Sequence, residues 1–180
     1  MMKEKTSHQP PEPTARARSR DSAQPSGKDM RSIIQIHDWP AAAVAELLAE
    51  SEQEGFRFVR RAQDEWQSGK NRFSLAGEAL FAVFEAERLM AIGGINRESE
   101  QVGRLRRFYV RREGRRRGIG RQLAEHVLGF ARRHYSQVAL RCETETADRF
   151  HLALGFNRTA SQAGATHVID LTKNPSPPPP

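Results

Sequence analysis

A chain with a single cysteine cannot staple itself, and Cys142 has no second thiol to pair with inside this sequence. That usage suits a reducing compartment. Long apolar runs are missing too: none approaches the roughly 20 residues needed to cross a bilayer. The opening Lys3-Glu4-Lys5 is followed by no apolar stretch of the kind a secretion signal carries. These absences lead to the expectation of a cytoplasmic protein with no membrane segment. Residues 1–30 are rich in Pro, Ser, Arg, Gln and Lys, and the chain ends in four prolines. Neither end has apolar surface to offset its ordering entropy. Disordered tails are therefore expected at 1–30 and 173–180, with one folded domain at 31–172.

Within that domain the apolar periodicity alternates between sheet and helix. Ile33–Ile36 reads as a strand, and Asp38-Trp39-Pro40 as a helix start, with Val44, Leu47 and Leu48 on one face. Val59, Ala62 and Trp66 mark a second helix that ends near Gly69. Ala79–Phe84 and Arg88–Ile95 flank Glu85-Ala86-Glu87 as a hairpin, and Leu105–Val110 is the next strand. Ile119, Leu123, Val127 and Phe130 form the stripe of a long central helix. A strand at Val138–Cys142, a short helix at Ala147–Leu154 closed by Gly155, and a final strand at Thr166–Leu171 complete the order. The expected class is mixed α/β, with a mostly antiparallel sheet and one central βαβ crossover.

The chemistry concentrates where Leu105–Val110 runs into Arg115-Arg-Arg-Gly-Ile-Gly120 and then the central helix. Strand, glycine-rich turn and helix N-terminus can hold a pyrophosphate, because free N–H groups and guanidinium charge converge on its oxygens. Two familiar phosphate loops are excluded. No Lys-Ser/Thr pair follows Gly118, and Leu123 stands where the dinucleotide pattern needs its third glycine. What remains, Arg115-x-x-Gly118-x-Gly120, resembles the acyl-CoA motif of the GNAT family of N-acetyltransferases. Further along, Ala147-x-x-Phe150-His151-x-x-x-Gly155-Phe156 is similar to the second motif of that family. The resemblance covers about residues 31–172.

It implies a GNAT fold and transfer of an acetyl group from acetyl-CoA, a co-substrate, to a primary amine of a small molecule or peptide by direct attack. No metal is implied, and the chain is expected as a monomer or homodimer. The cofactor-binding set carried over is Phe108, Tyr109 and Val110 on the strand, with Arg115, Arg116, Arg117, Gly118, Ile119, Gly120 and Arg121 on the loop. The Val110 N–H becomes the expected oxyanion donor. Leu105 and Phe108 are three residues apart, so strict alternation cannot put both on one face without a bulge. A bulge at this place splays the strand in the GNAT family.

His151 stands where many relatives carry a tyrosine that protonates the CoA sulfur. An imidazole, with an ordinary pKa near ~6.5 against ~10 for phenol, donates a proton only in its charged form. It also lies on the apolar stripe Ala147, Phe150, His151, Leu154, where it would be a core residue. Both readings stay open. No carboxylate lies within Leu105–Val110, where some GNAT enzymes carry a glutamate; the nearest acids are Glu98 and Glu100 in the polar connection after Ile95-Asn96, and many relatives use an ordered water as the base instead. Thr144 stands where an asparagine is common and can cap the next helix. On the acceptor side Glu52 and Glu54 would attract an amine, and Arg57, Arg60 and Arg61 a carboxylate.

Two rival functions remain. The chain carries a formal net charge of +7, and the arginines between Arg104 and Arg121 could neutralise nucleic-acid phosphates. Aromatics for base stacking are not interleaved among them, so nucleic acid is not the expected main partner. The other rival is an acyl-CoA-binding regulatory domain without catalysis.

Overall fold

The computed structural model describes residues 31–160 and 164–172; the tails expected at 1–30 and 173–180 lie outside the described residues. Strand β1 (Arg31–Gln35) is followed by helices α1 (Ala41–Gln53) and α2 (Phe58–Gln67). Strands β2 (Ala79–Glu85), β3 (Arg88–Arg97) and β4 (Val102–Val110) come next. A 3-10 turn at Arg112–Gly114 leads into α3 (Ile119–Ala131), then β5 (Gln137–Leu140) and α4 (Glu145–Leu152). Two short strands, β6 (Asn157–Arg158) and β7 (His167–Asp170), close the order. Among the described residues no helix is long and apolar enough to cross a membrane.

The seven strands of the described residues form one sheet in the order β1-β2-β3-β4-β5-β7-β6. The β4–β5 pair is parallel and the other neighbours are antiparallel. The fold is thus the expected mixed α/β sheet with β4-α3-β5 as its crossover. Two details differ from the sequence expectation. Phe156, where an extended run is expected to start, leads into a strand of only two residues at the sheet edge, and β7 inserts between it and β5. The β2–β3 hairpin turns on Ala86 and Glu87, both at positive φ (47° and 67°). That two-residue geometry matches the twist of the flanking strands.

Alternation along β2 feeds two cores. Ala79, Phe81 and Val83 face the layer of Ile119, Leu123, Val127 and Leu128 on α3. Leu80 and Ala82 face Val44, Leu47, Val59 and Trp66 on α1 and α2. A fully buried Val, Leu or Ile contributes about 1.5–3 kcal/mol relative to exposure, so this two-faced sheet is a rigid frame for β4 and the loop beyond it. Phe130, expected on the buried stripe, is only partly buried, while Leu128 and Ala131 are fully packed. At the other end, Thr144 caps α4 by accepting the Ala147 N–H at 3.2 Å.

Gly93 sits on β3 where no side chain fits. A Cβ there would lie 2.7 Å from Phe108 Cδ2 and 3.2 Å from Leu123 Cδ2. Gly93→Val is therefore expected to destabilise the domain by about 1–3 kcal/mol, read as a lower urea midpoint at unchanged slope. A wild-type midpoint would mean that Phe108 is not held where the structure puts it.

Candidate functional site

The site begins with an irregularity in β4. Ile92 opposes Tyr109 and Gly94 opposes Arg106, so Arg107 and Phe108 together oppose Gly93. Arg107 takes a φ of +58°, outside the range an L residue prefers. This bulge puts Leu105 and Phe108 on the α3 face, as their three-residue spacing requires. Arg107 and Tyr109 turn to the α1/α2 face, where Arg107 meets Glu65 at 2.6 Å and Tyr109 joins the second core. Parallel pairing with β5 spans only Val102–Arg104 against Gln137–Ala139. Beyond that point the two strands part. The Arg111 N–H bonds Met90 O at 2.9 Å on the β3 side, so by alternation the Val110 N–H points the other way, into the opening.

The loop after β4 delivers a helix start to the same opening. Gly118 is the N-cap of α3 at φ +81°, with no side-chain cap. The first helical bond runs from the Gln122 N–H to Gly118 O (3.0 Å). The N–H groups of Ile119, Gly120 and Arg121 therefore have no intrahelical acceptor and carry the positive end of the helix dipole. Among the described residues nothing lies within 4 Å of where a Gly118 Cβ would be. A Cβ on Gly120 would come within 3.3 Å of Val110 and 3.4 Å of Phe150. A glycine-led, uncapped helix start beside a parted strand pair fits an anionic group with an extended arm.

The loop arginines are distributed unevenly. Arg115 turns back into the protein: its Nε donates to Val110 O at 3.0 Å, and its guanidinium grips Glu54 at 2.8 and 2.5 Å. Arg117 pairs with Glu85 at 2.9 Å. Arg121 donates to Ala153 O at 3.2 Å and faces Glu125. Arg116 is exposed, at φ +61°. Of the carried-over residues, the structure brings Phe108, Val110, Gly118, Ile119 and Gly120 to the opening. It places the Tyr109 ring on the opposite face of the sheet.

That opposite face holds a polar cluster whose members Tyr109 and Glu54 the sequence singled out separately, with no signal that they meet. Tyr109 donates its hydroxyl to Glu54 (2.7 Å) and lies 3.2 Å from Glu50. Burial, with Glu54 beside it, raises the phenol above its ordinary value. The Arg115 guanidinium holds the Glu54 carboxyl at about 2, and Tyr109 and Arg112 add to the effect against burial. Burial raises Glu50, yet bonds from the Arg112 N–H, Arg111 and Tyr109 outweigh it and the net shift is downward. Both carboxylates are therefore ionised at neutral pH. Glu52, expected to attract an amine, pairs with Arg60 at 2.9 Å.

His151 lies on the inner face of α4 and is 6% exposed. Its ring centroid is 6.4 Å from that of Phe108 at the bulge, 5.2 Å from Phe150 and 5.7 Å from Phe156. Among the described residues neither ring nitrogen makes a well-formed hydrogen bond, the Ala147 carbonyl one turn back offering only a weak one. Burial lowers its pKa to about 4, the Ala147 carbonyl one turn back opposing only in part. The imidazole is neutral at pH 7. Glu98 lies in the β3–β4 turn, paired with Arg104 at 3.0 Å. That position is roughly 20 Å along β4 from Phe108 at ~3.3 Å per residue, so the structure does not bring Glu98 to the opening.

Known proteins agree with this geometry. A sequence profile of the acetyltransferase (GNAT) domain matches residues 47–173. No protein of curated function matches the sequence. Among solved structures, a candidate acetyltransferase from Exiguobacterium sp. 255-15 is 32% identical, with a TM-score of 0.70 over 79% of this chain and 95% of that one. A GNAT-family acetyltransferase from Staphylococcus aureus Mu50 shares the fold at 14% identity, with a TM-score of 0.66 over 79% and 99%. A candidate acetyltransferase from Salmonella typhimurium, solved with acetyl-CoA as its cofactor, aligns at 16% identity and a TM-score of 0.60 over 82% and 97%.

Proposed function

Because the chain belongs to the GNAT family of acetyltransferases, we propose that it moves an acetyl group from acetyl-CoA to a primary amine of a small molecule or peptide by direct attack. One observation carries the reading. The uncapped start of α3 opens beside the point where β4 leaves β5. In this reading the N–H groups of Gly118, Ile119, Gly120 and Arg121 bind the pyrophosphate, and exposed Arg116 adds charge from the solvent side. The pantetheine arm runs between the parted strands along Phe108 and Val110. The Val110 N–H, aimed into that gap, stabilises the oxyanion as the amine attacks. Arg115 shapes the loop by tying it to Glu54 rather than by touching phosphate. His151, whose ring lies 6.4 Å from that of Phe108 on the same face, offers an N–H to the departing sulfur. An ordered water deprotonates the amine.

The amine enters from the α1/α2 face beside Tyr109, where Glu50 and Glu54 are held by Arg111, Arg112 and Arg115 and shape the entry without free charge. The arginine run argues against nucleic acid as the partner. Arg104, Arg107, Arg111, Arg112, Arg115, Arg117 and Arg121 each pair with a glutamate, so most of the local charge is already neutralised.

The test is a thiol-release assay with acetyl-CoA and a panel of amino acids, polyamines, aminoglycosides and peptide N-termini. One class of amine is expected to release CoA thiol well above the rate with water alone. Thermal protection by acetyl-CoA with no thiol released by any amine would make the chain an acyl-CoA-binding domain without catalysis.

A further inference from the structure

Beyond the open end of β5 lies a polar cluster for which acetyl transfer to an amine has no use. Cys142, two residues past that strand, places Sγ 3.5 Å from Nδ1 of His167 on β7. On the far edge of the ring, Nε2 lies 3.0 Å from Oδ1 of Asp148 on α4. Arg158 of β6 clamps Asp148 at 2.8 and 2.5 Å and holds its carboxyl below the usual range. An ionised Asp148 accepts the Nε2 proton, which leaves the Nδ1 lone pair open to two donors, the Thr166 hydroxyl and the Cys142 thiol. Thr166 sits beside both: its hydroxyl accepts the Cys142 N–H at 3.0 Å and lies 2.9 Å from Nδ1 and 3.8 Å from Sγ. A nucleophile, a base and a group that orients the base are within reach of one another. His167 is buried, whereas Cys142 is half-buried and so reachable.

A thiol beside a histidine is common in protein cores, and location is what separates this one. His151 stands between the cluster and the bulge, its ring 6.1 Å from that of His167 and 6.4 Å from that of Phe108. It is 6% exposed, and among the described residues its nitrogens have no partner beyond a weak contact with the Ala147 carbonyl. A buried imidazole left unsatisfied next to an opening marks a place where a polar group belongs. The cluster thus adjoins the gap between β4 and β5 through His151, with Cys142 just past β5 and His167 one strand farther out on β7.

We propose that Cys142 is an S-acylation site, which takes the acetyl group from acetyl-CoA when no amine is bound. The proposal rests on acetyl-CoA being the donor that occupies this gap. His167 Nδ1 accepts the Sγ proton as sulfur attacks the acetyl carbon. The new Sγ–C bond forms, the bond from that carbon to the CoA sulfur breaks, and the proton passes from His167 to the departing thiolate. The products are an S-acetyl cysteine and free CoA thiol, with no change of oxidation state. One thioester replaces another, so the exchange is close to balanced, and the acetylated fraction follows the ratio of acetyl-CoA to CoA.

The full chain incubated with acetyl-CoA alone is expected to gain one acetyl group, mapped by mass spectrometry to Cys142. Neutral hydroxylamine should remove it, and excess CoA should reverse it. His167→Gln or Asp148→Asn should slow its formation roughly 10-fold or more while acetyl-CoA still raises the melting temperature. The wild-type adduct and its reversal decide the matter if both variants fail to fold. A wild-type chain that acetyl-CoA protects thermally but never acetylates on Cys142 overturns the proposal and leaves the donor reading intact. An adduct that forms equally fast in a folded His167→Gln variant overturns the relay. Neither protection nor adduct overturns both readings.

Discussion

Acetyl-CoA at a hundredfold excess over its Kd raises the wild-type melting temperature by about 10 °C, and Gly118→Glu abolishes the rise. The wild-type figure follows from roughly 2.7 kcal/mol of linkage at that excess, spread over a domain of this size. The variant separates binding from folding because its two effects on the free protein oppose each other. A side chain at φ +81° costs about 1 kcal/mol, but nothing lies within 4 Å of the new Cβ. A carboxylate at a helix N-terminus recovers roughly 0.3–1 kcal/mol of that strain. The unliganded variant should therefore melt within a few degrees of wild type. The bound state has no such offset, since the same carboxylate meets pyrophosphate at the N–H groups both would use. A weakening of at least 10²-fold is expected by calorimetry. Gly120→Glu should lose binding too, but with a lower unliganded midpoint, because its Cβ is pressed against Val110 and Phe150. Full protection surviving in Gly118→Glu would put the nucleotide elsewhere and take the proposed function with it.

The parts of this site that sequence could foretell are local ones. The bulge was legible because Leu105 and Phe108 are both apolar at a spacing no regular strand places on one face, and the structure has both in one core. The start of α3 was legible because glycines after a strand have few other uses. The ion pairs were not. Arg115 reads as a phosphate ligand until Glu54 is brought beside it from 61 residues away, and no periodicity encodes that meeting. The Tyr109–Glu50–Glu54 cluster and the Cys142–His167–Asp148 relay share this origin, being made by layers and strand order. The strand order itself turned on β6, whose two exposed residues follow the extended start at Phe156 with no apolar pattern to say which strand they would pair with. Glu98 was near in sequence to β4 yet sits beside its other end, because an extended chain covers about 3.3 Å per residue.

His151→Phe should slow acetyl transfer by roughly 10²-fold without changing acetyl-CoA affinity, and should make the fold less sensitive to mild acid. The second effect follows from burial. In the folded chain His151 titrates near 4, against about 6.5 when unfolded. Below pH 6.5 the unfolded chain takes up a proton that the folded chain refuses. Stability is therefore full above that value, falls as the pH drops, and stops falling once the folded form also protonates near 4. At pH 5 the wild-type loss from this group is about 2 kcal/mol, and the phenylalanine variant should lack it. Glu54 does not blur the comparison, because its own loss begins only below about 4.5. The kinetic effect needs a further step, since at pH 7 only about one molecule in 10³ carries a charged His151. A stored proton is then not what it offers. A neutral N–H can still donate to the sulfur as negative charge builds there, and that charge raises the imidazole pKa at the moment a proton is needed. Tyrosine donates in the same way without titrating, so His151→Tyr should recover much of the lost rate. Turnover unchanged in His151→Phe, together with the altered acid profile, would leave the imidazole a buried core residue with no part in the transfer.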